Sequence, residues 1–267
     1  AKNLIRMGHD VVGYDCDKDK IAELAAIGGR LDWPQHIDGI VIATPTQVHD
    51  ATIDTYQSLS DTPLFVEKPL ALKPVKPDHI VMVGYNLRFH ACVKKAREWI
   101  EAGELGNPLW ANLVCAQHNR KYKDSVVFNW SHEIDLALYL IGSVRHVETS
   151  SIDPLETIAD ICLTHDNGCR STVHLDYVTH PEIRQTIIVG SDAQIIIDTI
   201  NRCCWLRDKR GIYVDEINSP IDSWEENYYE EMAAFCDRLD GKPTIGATAK
   251  EALSVLSICL QAREMAK

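Results

Sequence analysis

The feature that most constrains the fold of this 267-residue sequence is the run Gly-Ile-Val-Ile-Ala-Thr at positions 39–44. Its apolar residues are continuous rather than alternating, which is typical of a strand that is buried on both faces of a parallel sheet. Pro45 ends the run, a helix is predicted over 48–59, and further apolar strands are predicted at 64–66 and 80–84. Strands separated by helices of this length predict right-handed crossovers and a doubly wound parallel sheet.

The pattern of the sequence changes after residue 85. Helices are predicted over 90–103 and 131–141, on either side of a strand at 107–117. From Val144 to Val214 strands follow one another without helices between them, which predicts a largely antiparallel sheet, and two helices are predicted to close the chain. The fold class is therefore α/β, with a doubly wound domain at 1–85 and an α+β domain at 86–267.

The start of the chain carries a candidate for cofactor binding. Residues 11–14 are predicted to form a short strand that ends at Asp15, and Asp17 is placed to cap the helix that follows. An acidic residue at the position of Asp15 accepts hydrogen bonds from an adenosine ribose and favours NAD over NADP. An ordinary loop or capping role for Asp15 is an equally good interpretation. Because the glycine-rich turn of such domains is not in this sequence, we expect that a strand and this turn precede residue 1.

Composition excludes several classes of function. The formal net charge is -12, which argues against binding to nucleic acid or to an anionic membrane, because phosphate recognition needs a basic face. The nine cysteines include no Cys-x-x-Cys pair, so neither a zinc site nor a disulfide framework is predicted. We therefore expect a reducing, cytoplasmic environment, and no apolar run approaches the ~20 residues needed to cross a bilayer.

Polar residues lie where two of the predicted parallel strands end. Glu67 and Lys68 leave the sheet together after the strand at 64–66, and Pro69 prevents the strand from continuing. Ligands bind at this edge of open α/β sheets, and a partly buried Lys there can take part in proton transfer. A solvated loop is the alternative for the isolated triplet. Thr44, Pro45, Thr46 and His49 follow the preceding strand, close to where a nicotinamide or its ribose would lie, although alone they are ordinary turn residues.

Four motifs occur in order along the chain. They are Ala43-Thr44-Pro45-Thr46 with His49, Glu67-Lys68-Pro69-Leu70-Ala71, Val83-Gly84-Tyr85-Asn86-Leu87-Arg88-Phe89 and Ser131-His132-Glu133-Ile134-Asp135. Together they resemble the glucose–fructose oxidoreductase / inositol dehydrogenase / MocA family of NAD(P)-dependent sugar oxidoreductases. The resemblance covers essentially the whole chain. It implies a dinucleotide-binding Rossmann domain at 1–85, joined to an open, mostly antiparallel sheet at 86–267 that carries the substrate and mediates assembly, here as a homodimer or homotetramer.

The resemblance also implies roles for individual residues. Lys68 would contact the substrate hydroxyl and the nicotinamide ribose, and His132 would be the general acid/base at the oxidised carbon. Without the other motifs, His132 would be interpreted as a satisfied histidine at a helix start. Family members commonly carry an acidic residue shortly before this histidine, whereas this chain offers Asn129, whose amide cannot take up a proton. Asp135 shares a helix face with His132 and is a candidate to orient the imidazole.

Further candidates would position the substrate. They are Asn86, Arg88, Arg120, Tyr122, Asn129 and Asp135, while Asp15, Thr44, Pro45, Thr46, His49, Glu67 and Lys68 would hold the cofactor. Arg88 and the segment 118–123 form a local basic patch, which favours an anionic sugar or, equally, a solvated loop.

We therefore predict an oxidoreductase that moves a hydride between NAD, with NADP as the alternative cofactor, and a secondary alcohol of a sugar, cyclitol or nucleotide-linked sugar. The competing hypothesis is a non-redox or regulatory relative that binds NAD(P) tightly without net turnover.

Overall fold

Two sheets organise the chain in the computed structural model, which describes residues 1–32, 34–118, 125–218 and 224–265. The first is a three-stranded parallel sheet of β1 (Ile40–Ile42), β2 (Leu64–Glu67) and β3 (Ile80–Gly84), in that order. The second has eight strands in the order β11-β10-β9-β8-β4-β7-β6-β5. Its strands are β4 (Pro108–Ala116), β5 (Val144–Ile152), β6 (Ile158–His165), β7 (Arg170–Asp176), β8 (Ile183–Gly190), β9 (Ala193–Asp198), β10 (Cys203–Asp208) and β11 (Tyr213–Asn218).

Helices precede, connect and follow these strands. They are α1 (Lys2–Arg6), α2 (Lys18–Ala26), α3 (His49–Leu59), α4 (Ala91–Glu101), α5 (Val126–Asn129), α6 (His132–Ile141), α7 (Trp224–Leu239) and α8 (Ala249–Met265), with 3-10 turns at Thr46–Val48 and Asn86–Phe89. Among the described residues, no helix combines the length and apolar character that a membrane crossing requires.

The parallel sheet confirms the prediction made from its apolar runs. Ile42 lies beside Val66, and Val66 lies beside Val83, all in parallel register. The side chains of these three residues are buried, as are those of Phe65 and Met82. A strand covered on both faces needs apolar residues at consecutive positions, and this explains the unbroken pattern in the sequence.

The prediction of a strand at 11–14 is wrong. Val12 forms a single parallel bridge to Arg30, and no residue of α2 is buried. An apolar run becomes a strand only where a neighbouring strand satisfies its backbone and buries its side chains, and this segment has one such contact. The predicted cap is confirmed, because the carboxylate of Asp17 accepts a 2.9 Å hydrogen bond from the N–H of Asp19.

The large sheet is antiparallel except where β4 pairs with β7 in parallel. Alternate residues of β4, namely Ala111, Leu113 and Cys115, point into the core on the face covered by α4 and α6. On the opposite face Trp110 is 41% exposed. The sheet is therefore open at Trp110, as the family resemblance implied.

The last two helices pack back onto the first sheet. A guanidinium N–H of Arg238 donates a 2.8 Å hydrogen bond to the carbonyl oxygen of Val81, and the N–H of Val83 donates one of 2.9 Å to the carbonyl oxygen of Ala247. Phe235 on α7 meets Phe65 edge to face, with ring centroids 5.5 Å apart. The C-terminal helices thus cover β2 and β3. The proposed division at residue 85 separates the two sheets, but α7 and α8 come after this residue and pack on the first sheet.

Candidate active site

Lys68 connects the end of the parallel sheet to the second half of the chain. Strand β2 ends at Glu67, whose Oε2 accepts a 3.2 Å hydrogen bond from the backbone N–H of Lys68. The Nζ of Lys68 donates a 2.8 Å hydrogen bond to the backbone carbonyl oxygen of Asn129, the last residue of α5. The ammonium group of Lys68, at the predicted strand end, therefore contacts the start of the segment that carries His132.

The pKa of Lys68 lies below its ordinary value. Burial is the main cause, because desolvation disfavours the ammonium form, and the positive charge of Arg184 acts in the same direction. The carboxylate of Glu67 opposes the shift but does not cancel it. Burial raises the pKa of Glu67 itself, in spite of its hydrogen bond from the Lys68 N–H. Both groups are therefore more easily brought to their neutral forms than in water.

His132 is the first residue of α6 and is 7% exposed. Its ring meets that of Tyr85 edge to face, with centroids 5.7 Å apart. Its Nδ1 is buried and has no hydrogen-bond partner among the residues that the structure describes. Burial lowers the pKa of His132 well below its ordinary value, and the charges of Lys68 and Arg184 lower it further. The imidazole is therefore neutral at pH 7, which is the state of a proton acceptor.

Asn129 is held by its neighbours as well as by Lys68. Its Nδ2 donates a 2.9 Å hydrogen bond to the hydroxyl of Tyr177, which follows β7. The Tyr177 ring packs edge to face on Trp130, with centroids 4.6 Å apart. These contacts fix the short segment between α5 and α6.

A second group of polar residues lies beside Glu67. The buried side chain of Asn86 is hydrogen-bonded to the hydroxyl of Tyr228 on α7. Glu231, one turn further along α7, is fully buried, and neither carboxyl oxygen has a partner within the described part of the chain. Burial raises the pKa of Glu231 well above its ordinary value, and the charge of Glu67 raises it further. The neutral form of the Glu231 carboxyl group is therefore favoured more than it would be in water.

Arg88 and Asp135 need a correction to their predicted roles. Arg88 is 2% and Asp135 1% exposed at the side chain, and Nη2 and Nε of Arg88 donate hydrogen bonds of 2.6 and 2.9 Å to the Asp135 carboxylate. Nη1 of Arg88 donates a 2.8 Å hydrogen bond to Glu251 on α8. The donors of Arg88 are thus engaged by protein carboxylates, and Asp135 faces Arg88 rather than the imidazole of His132. We interpret the pair as structural support beneath the site.

The candidates after β1 separate into exposed and buried residues. Thr44 and Pro45 are exposed and Thr46 is half-buried at the carboxyl end of the sheet. His49 is fully buried, with Nε2 2.8 Å from the carbonyl oxygen of Thr44 and Nδ1 3.0 Å from that of Pro69. His49 therefore holds together the loops that follow β1 and β2 through their carbonyl oxygens.

The remaining predicted residues are Asp15, Arg120 and Tyr122. Asp15 is exposed, and its Oδ1 accepts a 2.9 Å hydrogen bond from the N–H of Asp17. Arg120 and Tyr122 lie outside the residues that the structure describes.

Arg184, Glu133, Tyr177 and Glu231 contribute to the site but were not predicted from the sequence. A signal existed for Arg184, because it precedes Thr186 and Ile188 at alternate positions of β8, and both of these are buried. A charged residue on the buried face of a strand needs a partner, and Nε of Arg184 donates a 2.7 Å hydrogen bond to Oε1 of Glu133.

Comparison with known proteins places this geometry in context. Residues 93–196 match the profile of the GFO/IDH/MocA C-terminal domain. The scyllo-inositol 2-dehydrogenase (NAD(+)) of Bacillus subtilis (strain 168) is 30% identical, over 75% of this chain and 67% of its own length. The D-apiose dehydrogenase of Rhizobium rhizogenes is 25% identical, over 66% of this chain and 56% of its own length.

A solved structure shares the fold across both sheets. Levoglucosan dehydrogenase, in complex with NADH and levoglucosan, superimposes with a TM-score of 0.82 over 96% of this chain and 87% of its own, at 19% identity. The sequence similarity to the Bacillus subtilis dehydrogenase and the match to the C-terminal domain profile agree with the motifs found along the sequence. The chain belongs to the glucose–fructose oxidoreductase / inositol dehydrogenase / MocA family.

Proposed function

We propose that the protein is an NAD(P)-dependent oxidoreductase that transfers a hydride between nicotinamide and a secondary alcohol of a sugar, cyclitol or nucleotide-linked sugar. The observation that carries the proposal is the hydrogen bond from Nζ of Lys68 to the Asn129 carbonyl oxygen, three residues before the buried imidazole of His132. Membership of a family with inositol and apiose dehydrogenases supports it.

The residues at the carboxyl end of the parallel sheet suit a dinucleotide. Thr44, Pro45 and Thr46 are accessible there, beside Glu67 and Lys68, and this edge is where ligands bind in doubly wound folds. These residues would hold the nicotinamide end, His49 would fix the loops that carry them, and Asp15 would face the adenosine ribose. When bound, NAD supplies a two-electron acceptor for hydride, with NADP as the alternative.

Lys68 and His132 would move the proton that accompanies hydride transfer. Oxidation of a secondary alcohol requires loss of the hydroxyl proton, and a neutral imidazole can accept it. The lowered pKa of His132 keeps its ring neutral at pH 7, and its unpaired Nδ1 is available for this role within the described residues. The ammonium of Lys68 would stabilise the negative charge that develops on the substrate oxygen.

Asn86 and Asn129 would position the substrate rather than exchange protons. The amide of Asn129 is oriented by Tyr177 and that of Asn86 by Tyr228. Because both tyrosines fix the amides in place, little side-chain freedom is lost when a substrate binds. Arg120 and Tyr122 remain candidates for additional substrate contacts on sequence grounds.

Assembly and location follow from the same proposal. The open face of the large sheet, where Trp110 lies, suits a homodimer or homotetramer. All nine cysteines are free thiols, which agrees with a reducing, cytoplasmic environment. We assign nucleotide binding to residues 1–85, and substrate binding and assembly to residues 86–267.

The experiment that tests the proposal follows the NADH absorbance band. The protein is mixed with NAD, or NADP in a parallel series, and with scyllo-inositol, D-apiose, levoglucosan and UDP-N-acetylglucosamine in turn. Net formation of the reduced cofactor with one of them supports the dehydrogenase. Tight binding of the cofactor without turnover of any sugar would contradict it and favour a non-redox relative.

A further inference from the structure

Arg184 and Glu133 form an ion pair that the proposed mechanism does not use. Nε of Arg184 donates a 2.7 Å hydrogen bond to Oε1 of Glu133, which directly follows His132 in the chain. Arg184 lies close enough to both Lys68 and His132 for its charge to lower the pKa of each. The pair is therefore a neighbour of the two residues proposed to move the proton, and Glu133 adjoins one of them on α6.

The pair is only half satisfied. A guanidinium and a carboxylate commonly meet through two parallel hydrogen bonds, but one is made here. Nη2 of Arg184 and Oε2 of Glu133 are both buried and lack a hydrogen-bond partner among the described residues. The Glu133 side chain is 2% exposed and that of Arg184 18%. One charged donor and one charged acceptor thus remain unpaired, at a cost in free energy.

The large sheet explains why the pair is buried at this point. Arg184 is opposite Cys115 on β4 and shares the covered face of β8 with Thr186 and Ile188. It lies on this face near the start of β8. At this point the sheet is covered by the first turn of α6, which includes Glu133, rather than by apolar side chains. The pair therefore lies between the large sheet and α6, and does not belong to the solvated surface.

The chemistry of the two unpaired atoms selects a ligand class. An anionic group at Nη2 of Arg184 would also approach the Glu133 carboxylate, so the attraction of one would be offset by the repulsion of the other. A hydroxyl both accepts and donates a hydrogen bond, and a pair of neighbouring hydroxyls does so at two adjacent points. A neutral polyol therefore matches the unpaired donor and acceptor better than a carboxylate or phosphate.

We infer that Arg184 and Glu133 are specificity-determining residues that bind the hydroxyl groups next to the one that is oxidised, with Nη2 donating to one oxygen and Oε2 accepting from a hydroxyl. The inference rests on the proposed function and names its substrate class as a neutral polyol with vicinal hydroxyls. It differs from the anionic substrate that the basic segment of the sequence had suggested.

The experiment compares binding of matched probes without requiring turnover. Isothermal titration calorimetry in the presence of NADH measures the dissociation constants of scyllo-inositol, levoglucosan and D-apiose, of a deoxy analogue of the polyol that binds most tightly, and of glucuronate. Glu133→Gln keeps the shape of the side chain but removes its charge, and Arg184→Lys keeps the charge but removes the planar fork.

Each variant is expected to weaken polyol binding by about 10-fold to 100-fold, as expected for loss of a hydrogen bond to a charged group. Binding of the deoxy analogue should change little. Arg170→Lys is the control, because Arg170 forms an exposed pair with Glu148 at 3.7 Å on the large sheet and should leave both constants unchanged. Thermal unfolding of each variant shows whether the fold is retained.

Three outcomes overturn the inference. They are equal losses for the polyol and its deoxy analogue in folded variants, tighter binding of glucuronate than of every neutral polyol, and binding of no neutral polyol to the wild-type protein. Polyol binding that depends on Arg184 and Glu133, without any formation of NADH from NAD, would instead contradict the proposed function and leave the binding role intact.

Discussion

Nζ of Lys68 donates a 2.8 Å hydrogen bond to the backbone carbonyl oxygen of Asn129. Lys68 directly follows the last residue of β2 in the parallel sheet, and Asn129 is the last residue of α5, the short helix that follows β4. The contact brings together two parts of the chain that are 61 residues apart in sequence. It also leaves the ammonium partly buried, which lowers the pKa of Lys68.

Replacement of Lys68 by Ala should reduce kcat by a factor of about 10² to 10⁴, because the group that stabilises the developing oxyanion is lost. NAD binding, measured by calorimetry, should remain nearly unchanged. Lys73→Ala is the matched control, since Lys73 is exposed and pairs with Asp50 at the surface. An unchanged kcat in Lys68→Ala would remove this residue from the mechanism.

The pH dependence of kcat/KM should reflect the shifted pKa values of both residues. The active form needs a neutral His132, whose pKa is well below 6.5, so the rate should persist through this pH and fall only in more acidic solution. It also needs a charged Lys68, whose pKa is below 10.5, so the rate should fall as the pH rises through that lowered value.

His132→Gln tests the assignment of the acidic limb. The variant should be slower by a factor of about 10² to 10⁴ and should lose the fall in rate on the acidic side. A pH profile of kcat/KM for wild type and variant gives the comparison. If the acidic limb persists unchanged in the variant, another group is the proton acceptor.

Arg88→Ala should destabilise the fold by about 3–5 kcal/mol, because it leaves the buried carboxylate of Asp135 without its partner. Replacing both residues together, as Arg88→Met with Asp135→Leu, should recover much of this loss, since no unpaired charge remains. Urea unfolding measures the free energy in each case. Lys20→Ala removes an exposed pair with Glu23 and should cause no measurable change. Equal stability of Arg88→Ala and wild type would contradict the structural role.

We predict that the contribution of His174 to the stability of the fold depends on pH. Burial lowers its pKa, but hydrogen bonds of 2.7 Å to Asp160 and 2.9 Å to Asp176 outweigh burial and raise it above 6.5. The imidazolium is therefore favoured in the folded state. Its stabilisation is fully present below the unfolded pKa of about 6.5 and is lost as the pH rises through the folded pKa.

The difference in Tm between wild type and His174→Gln should accordingly be larger at about pH 5.5 than at about pH 8.5. His146→Gln is the control, because His146 is exposed at the edge strand β5. A difference that grows toward alkaline pH would show that the neutral form of His174 is the stabilising one.

Gly84→Ala should disturb the candidate site, because Gly84 lies directly beside Glu67. An added Cβ would lie 2.8 Å from Oε2 of Glu67 and 3.1 Å from the Phe65 ring, so the carboxylate must move. Overpacking of this kind costs about 1–3 kcal/mol. Glu67 also accepts a hydrogen bond from the backbone N–H of Lys68. A shift of Glu67 should therefore lower kcat together with the free energy of unfolding. Unchanged kcat and stability would mean that Glu67 has room to shift without consequence.

Much of the fold could be predicted because the strands of the parallel sheet have continuous apolar residues, whereas those of the large sheet alternate between buried and less buried residues. The continuous run at 39–44 predicted a strand covered on both faces, and Ile42 is indeed buried beside Val66 in a parallel sheet. Residues 11–14 have a similar apolar character but form a single bridge, because strand formation depends on neighbours that a local pattern does not reveal.

The candidate site was predictable in part for the same reason. Lys68 and His132 stand out because a strand end and a helix start each fix the position of one polar residue. The pairing of Arg88 with Asp135 was not predictable, because it joins residues 47 apart whose charges alone suggest exposure. Arg184 was missed because a charged residue in a strand is usually assigned to the exposed face.

The chain leaves the parallel sheet after Gly84, and α7 and α8 later pack against β3 of that sheet. The 2.8 Å hydrogen bond from Nζ of Lys68 to the carbonyl oxygen of Asn129 joins the same two parts of the chain. A substrate oxygen that took the place of this carbonyl at the ammonium would therefore also remove a contact between the segments that carry β2 and α5.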